Sequence, residues 1–171
     1  MTALRPLAWG ILALLLAAGL QGRAAHAVHL RWAQPDFVLV TLGCAATLLG
    51  GGRGTFLGLW AGLLTAALIP ATFGTFLASR TLAGALAGFL QRFLIRDSPL
   101  VPPLAVLATT LTAEVVYVLM APGIARHPFR LWLYKVGGET LYNMVLALPV
   151  YWLLRRLGLG HVPDDPFGTR L

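Results

Sequence analysis

The residue of greatest chemical potential in this chain is Glu114, a carboxylate set well inside the uninterrupted apolar run Leu100 to Met120. A helix of that length rises about 31 Å at about 1.5 Å per residue, which matches a bilayer hydrocarbon core of about 30 Å. A carboxylate at such depth costs roughly 2.5 to 3.5 kcal/mol on insertion scales unless it turns toward protein or water, so it needs a partner. Arg80, inside another apolar run, carries the opposite charge, and Asn143, Thr65 and Thr41 add uncharged polar groups to further apolar segments. Two readings compete for this set. One is a buried hydrogen-bonded network that fixes helix orientation, with Glu114 paired to Arg80; the other is an outward-facing pocket or partner site around Glu114.

Catalytic constellations are absent from the sequence. Its two serines, Ser79 and Ser98, sit in no Gly-x-Ser-x-Gly elbow, and no Cys/His pair or paired catalytic acids occupy an apolar segment. His26 and His29 have the i, i+3 spacing of a helix face but lack a third ligand nearby, and His127 and His161 stand apart, so no metal site is assigned. Cys44 is the single cysteine and reads as core packing, with no disulfide framework available. No catalytic, cofactor-binding or metal-ligating residue is therefore expected.

The elements that must position the polar groups follow from composition. Hydrophobic residues make up 58% and charged residues 11% of the 171 residues, far from the roughly 25% charge of a soluble domain. Mean hydropathy is +0.78. The net charge of +7 comes from 13 Lys+Arg, all but Lys135 being arginine, against 6 Asp+Glu. The arginines are scattered at the ends of apolar runs, which suits lipid headgroups and orientation rather than nucleic acid, whose binding would want them clustered on one face.

The pattern predicts an all-α integral membrane protein of six transmembrane helices, a single domain over 1–157 with a short flexible C-terminal tail over 158–171. Helix one, Leu7 to Gln21, is read as an uncleaved span, although Arg5 before it and Ala25-His26-Ala27 after it also fit a secretory signal. Helix two opens at Pro35-Asp36 and runs from Phe37 to about Gly51, ending in Gly50-Gly51-Gly52. Helix three, Thr55 to Ile69, continues the stripe Gly54, Gly58, Gly62, and helix four, Thr75 to Phe93, carries Gly84 and Gly88; small residues at i, i+4 let a neighbouring backbone come close. A turn at Pro70 to Gly74 separates them. Helix five is Leu100 to Met120, with Pro102 and Pro103 tolerated in its first turn. Arg126 to Glu139, mixing Phe129, Trp132 and Tyr134 with Arg130 and Lys135, is expected on the membrane surface, and helix six is expected from about Thr140 to Leu154 with a kink at Pro149.

Six crossings put both termini on one side, and the arginines hugging the ends of helices four and six favour that side as cytoplasmic. Glu114 and Arg80 then share one depth near the outer face, with Asn143, Thr65 and Thr41 in the same layer.

The order of these motifs resembles the MreD family, integral membrane proteins of the bacterial rod-shape (elongation) complex. The residues that carry the likeness are Pro35-Asp36 opening an apolar helix, Gly58 and Gly62-Leu63-Leu64, Phe73-Gly74, Gly84, Gly88 and the exit Arg92 to Ser98. Thr112-Ala113-Glu114 and Pro149 to Leu157, ending Leu-Leu-Arg-Arg-Leu, look similar too. Where the family often carries an acid shortly after Gly-Leu-Leu, this chain has Thr65-Ala66-Ala67. The resemblance implies a non-enzymatic inner-membrane scaffold without cofactor that works with MreC and, through the complex, with MreB, RodA and a class B penicillin-binding protein. It also implies a six-helix fold similar to the substrate-binding subunits of energy-coupling-factor vitamin transporters. That supplies the alternative, a small-molecule binding subunit, for which Ala13 and Ala17 would be the docking residues on helix one. Against it, the loops on the presumed outer face lack the length and polar variety that a hydrophilic ligand requires.

The orientation is open to a direct test. A reporter active only outside the cytoplasm, fused after Leu171, should stay silent; strong activity would reverse the assignment.

Overall fold

A computed structural model describes residues 4–22, 33–69, 72–94, 98–120 and 129–159. These form six helices: α1 (Leu4–Gln21), α2 (Phe37–Leu49), α3 (Gly51–Leu68), α4 (Phe73–Leu90), α5 (Val101–Met120) and α6 (Phe129–Arg156), with no β-strand among the described residues. The protein is all-helical. Two of the helices, α4 and α5, are long and apolar enough to cross a membrane, while Arg5–Gln21 and Phe37–Leu49 are shorter apolar helices.

α2 is the axis of the bundle. It touches each of the other five helices, and all of its residues except Phe37 are buried. Its start is set by Asp36, whose extended backbone (φ −100°, ψ 92°) and side-chain oxygen, accepting from the Leu39 N–H at 2.9 Å, form an N-cap. Its end is set by Gly50 alone, at φ +82°, a backbone region that side-chain-bearing residues rarely adopt. The three-glycine terminator expected from the sequence is thus a one-residue break: Gly51 and Gly52 already belong to α3, since one left-handed residue suffices to reverse the chain and a helical glycine costs only about 1 kcal/mol relative to alanine.

α3 and α4 lie antiparallel with their backbones in contact. A Cβ on Gly58 would lie 2.5 Å from the Arg80 carbonyl oxygen, one on Gly54 2.7 Å from that of Gly84, and one on Gly62 2.8 Å from the Leu77 Cα. From the other side, a Cβ on Gly84 would meet the Gly54 carbonyl at 2.5 Å, and one on Gly88 would lie 3.0 Å from backbone atoms of Gly50 and Gly51. All five stripe glycines therefore sit in one interface, where no side chain fits.

α6 differs from the sequence expectation. The stretch assigned to the membrane surface and the expected sixth span are one helix, Phe129–Arg156, with Gly137, Gly138 and Pro149 inside it. Hydropathy marks where a segment leaves an apolar medium; the charges of Arg130, Lys135 and Glu139 end the apolar run without ending the hydrogen-bond ladder. The helix closes at Gly158 (φ +89°) in a Schellman cap, with Leu159 N–H donating to Leu154 O at 3.2 Å and Gly158 N–H to Arg155 O at 3.1 Å. Leu159 and Leu154 are both buried, so the first two residues expected in a flexible tail belong to the helix terminus. Residues 160–171 lie outside the described ones, as do Ala25 to Ala27.

Leu57, beside the glycine stripe, is buried beneath α1 and would itself be costly to truncate, whereas Leu59 is exposed. Gly58→Leu should force α3 and α4 apart and lower Tm in detergent by roughly 10 °C or abolish folding, while Leu59→Ala should change Tm by no more than about 2 °C. Equal tolerance of both would show that the glycine interface is not required.

Candidate polar joint at one end of the bundle

Alternating helix directions bring together the end of α1, the start of α2, the first turns of α4, the last turns of α5 and the middle of α6. The polar side chains of these elements converge on Asp36. Its Oδ2 accepts from Arg80 Nη2 at 2.6 Å, an ion pair whose side chains are 4% (Arg80) and 14% (Asp36) exposed. Its backbone N–H donates to Asn143 Oδ1 at 2.9 Å, and Asn143 Nδ2 donates in turn to Thr110 Oγ1 at 3.2 Å. The neighbouring peptide is gripped by Gln21, which accepts from the Phe37 N–H at 2.8 Å and donates to the Pro35 carbonyl at 3.1 Å. One short segment, Pro35 to Phe37, is thereby tied to α1, α4 and α6 directly and to α5 through Asn143.

Position explains why Asp36 can hold so much. At an N-cap one oxygen satisfies an orphan helix N–H, the positive end of the α2 dipole favours the carboxylate, and the second oxygen remains for a guanidinium. Arg80 is further braced by the Phe76 ring, 5.5 Å from its Cζ, and Phe76 in turn packs on Tyr117 with ring centroids 5.1 Å apart.

The expected Arg80 to Glu114 pair does not form, because Asp36 takes the guanidinium. Glu114 is buried without a hydrogen bond or ion pair among the described residues, and it lies within electrostatic reach of Glu139, which also feels Asp36, Lys135 and Arg80. Asn143 joins the joint as expected, through partners the sequence reading did not name. Thr65 does not join: it is buried, but its hydroxyl donates to Ala61 O, within its own helix, at 2.9 Å. Thr41 is buried on α2.

Four members were missed. In sequence Asp36 reads only as a helix start, Glu139 only as part of a surface segment and Gln21 only as the end of helix one, and nothing singles out Thr110. A depth count would have recovered Asp36 and Gln21, since both stand at helix termini on the level of Arg80. Glu139 becomes legible only once α6 is one helix, because it then precedes Asn143 by one turn on the same face.

As chemistry the arrangement is a joint. Ser79 donates to Phe76 O at 3.2 Å, and Cys44 is buried with its thiol toward Ala147 O at 3.6 Å, so neither is poised as a nucleophile. Among the described residues no group of three or more His, Cys, Asp or Glu could hold a metal ion, and all four histidines lie outside them. Compared with protein-family models, curated proteins and solved structures, the chain matches none.

Asp36→Asn keeps an N-cap but removes the charge. It and Arg80→Ala should each destabilise the protein by about 3 to 5 kcal/mol, because each strands a buried partner, and the double variant should recover part of the loss. Thermal unfolding in detergent gives the coupling. Losses that simply add would mean that the pair is not coupled.

Proposed function

We propose that this chain is a non-enzymatic inner-membrane scaffold of the bacterial cell-elongation (peptidoglycan synthesis) complex, crossing the membrane six times with both termini in the cytoplasm and partnered with MreC, and through it with MreB, RodA and a class B penicillin-binding protein. The observation that carries this reading is the use made of Asp36. The Pro35-Asp36 pair that opens the resemblance is the segment to which four other helices are tied, and the glycines that continue it make the α3–α4 interface. Residues that would be motif-grade in a binding or catalytic protein are spent here on holding helices together, as a scaffold requires.

Support for the membrane setting comes from the outer surface. Only 33% of the apolar window of α5 and 44% of that of α4 is buried, and side chains such as Leu16, Leu82, Leu119, Leu141 and Val145 stand more than half exposed. Apolar side chains exposed in this number suit lipid better than water. α2 reaches only about 20 Å, yet being sheathed by the other helices it need not match the hydrocarbon thickness.

The alternative, a substrate-binding subunit of a small-molecule transporter, draws on a specific observation: Glu114 and Glu139 are buried without salt-bridge partners among the described residues, near Arg80, whose Nε has no hydrogen-bond partner, and Thr140, whose hydroxyl has none. The two readings separate in one experiment. The purified chain should capture MreC from a detergent extract and release no small molecule on mass spectrometry, and Glu114→Gln should retain that capture. Failure to capture MreC together with release of a stoichiometric small molecule lost in Glu114→Gln would overturn the scaffold reading in favour of the binding subunit.

A further inference from the structure

The hydrogen bond from Asn143 to Thr110 fixes the register of α5 against α6, two packed helices that run in opposite directions. Glu114 stands one turn beyond Thr110 on α5, and Glu139 one turn before Asn143 on α6. Both carboxylates are therefore displaced by about 6 Å toward the same end of the bundle, on the buried faces of neighbouring helices. The two residues are 7% and 6% exposed, and neither has a hydrogen bond or ion pair among the described residues.

The surrounding charge leaves them short of compensation. Glu139 lies within electrostatic reach of Glu114, Asp36, Lys135 and Arg80: three carboxylates, Glu139 included, against two cations, a net charge of −1. Arg80 is already bonded to Asp36, and Lys135 is exposed, where salt screens it. Arg130 stands nine residues before Glu139, about 13 Å along the helix and beyond a Debye length of about 8 Å. Tyr117 and Tyr142, three residues beyond Glu114 and Glu139 on the same helices, complete the titratable groups of this level among the described residues.

Two orphaned atoms point to an occupant. The Thr140 hydroxyl, on the face of α6 between Glu139 and Asn143, has no hydrogen-bond partner, and neither has Arg80 Nε, although both residues are more than nine-tenths buried. A hydroxyl and two carboxylates are the hard oxygen donors that a small cation takes, and the Nε–H calls for an acceptor such as a water that accompanies it. A net charge of −1 matches a monovalent ion. A divalent one would find no group of three acidic, histidine or cysteine ligands among the described residues.

We infer that this part of the joint binds one small monovalent cation, sodium or a proton, on the carboxylates of Glu114 and Glu139, with the Thr140 hydroxyl completing the oxygen set for sodium. The occupant supplies the positive charge that two buried carboxylates require. It is an inorganic ion and not the organic ligand of the transporter alternative, and the site depends on no partner in the complex, so its failure would leave the scaffold reading standing.

Thermal unfolding of the full chain in detergent tests the site, with sodium chloride against choline chloride at equal ionic strength. In alkaline buffer sodium should raise Tm by roughly 3 to 6 °C and saturate, and in mildly acidic buffer the increment should vanish as protons take the same carboxylates. Thr140→Val should demand about fivefold more sodium for the same shift. Thr65→Val, whose hydroxyl is bonded to Ala61 O inside α3, should not change the response. Glu114→Gln and Glu139→Gln place a neutral amide where the charge was, so each should ignore sodium and, in choline, be at least as stable as the wild type. Infrared spectroscopy of the wild type separates the two ions without relying on any variant: a protonated-carboxyl C=O band in neutral sodium-free buffer, with no sodium increment at any pH, makes the occupant the proton. Absence of both the increment and the band overturns the site. So does a sodium response that survives in both glutamine variants, or a loss of stability in both of them in choline, since the carboxylates would then be satisfied as they stand.

Discussion

A guanidinium buried among helices must meet a counter-charge, and for Arg80 that charge is the Asp36 carboxylate at 2.6 Å. Much of the architecture follows from where that carboxylate can stand. It caps α2, so α2 must begin at the level of Arg80; its peptide N–H and its neighbour's are unsatisfied at a helix start, so Asn143 and Gln21 must reach them. Asp36 and the peptides beside it thereby set the axial position of α1, α4 and α6 against α2, and Asn143 carries the constraint on to α5 through Thr110. In an apolar medium, where burial of hydrocarbon gives no preference for one helix register over another, directional polar bonds of this kind are what select a register.

α3 stands outside the joint and is positioned by a complementary device. Gly54, Gly58 and Gly62 let it approach α4 until backbone meets backbone, and one of the two closest approaches, Gly58 to the Arg80 carbonyl, falls on the residue that makes the ion pair. A side chain at Gly58 would thus disturb more than local packing. By pushing α4 outward it would draw the guanidinium from Asp36, so the steric and the electrostatic constraints are coupled through the backbone of one residue.

The sequence was most legible where a local rule governs. Pro35-Asp36 marks a helix start because capping chemistry is local, and the i, i+4 glycines mark a close interface because nothing else gains from a missing side chain. Partner choice was less legible. Arg80 has two candidate carboxylates at similar depth, and what decides between them is that a helix-terminal carboxylate is already stabilised by the N–H groups and dipole of α2, whereas Glu114 projects from the side of α5 with neither. The extent of α6 was misread for a different reason: hydropathy reports the medium, and a helix that continues from one medium into another keeps its hydrogen bonds while its composition changes.

The two ends of the bundle differ in a way that bears on what the molecule can do. At the end of the joint the described charges, Arg80, Arg130 and Lys135 against Asp36, Glu114 and Glu139, sum to zero; Arg80, Glu114 and Glu139 are buried, whereas Arg130 and Lys135 are exposed. Among the described residues the charged side chains of the opposite end are all arginines, several of them exposed. Charge that balances within one end gives little long-range attraction for a charged partner, while an excess of positive charge attracts an anionic surface. Under the membrane reading proposed above, attraction between an anionic leaflet and the arginine end would orient the chain, and the stiffness of the joint would present the same outward face to a protein partner each time.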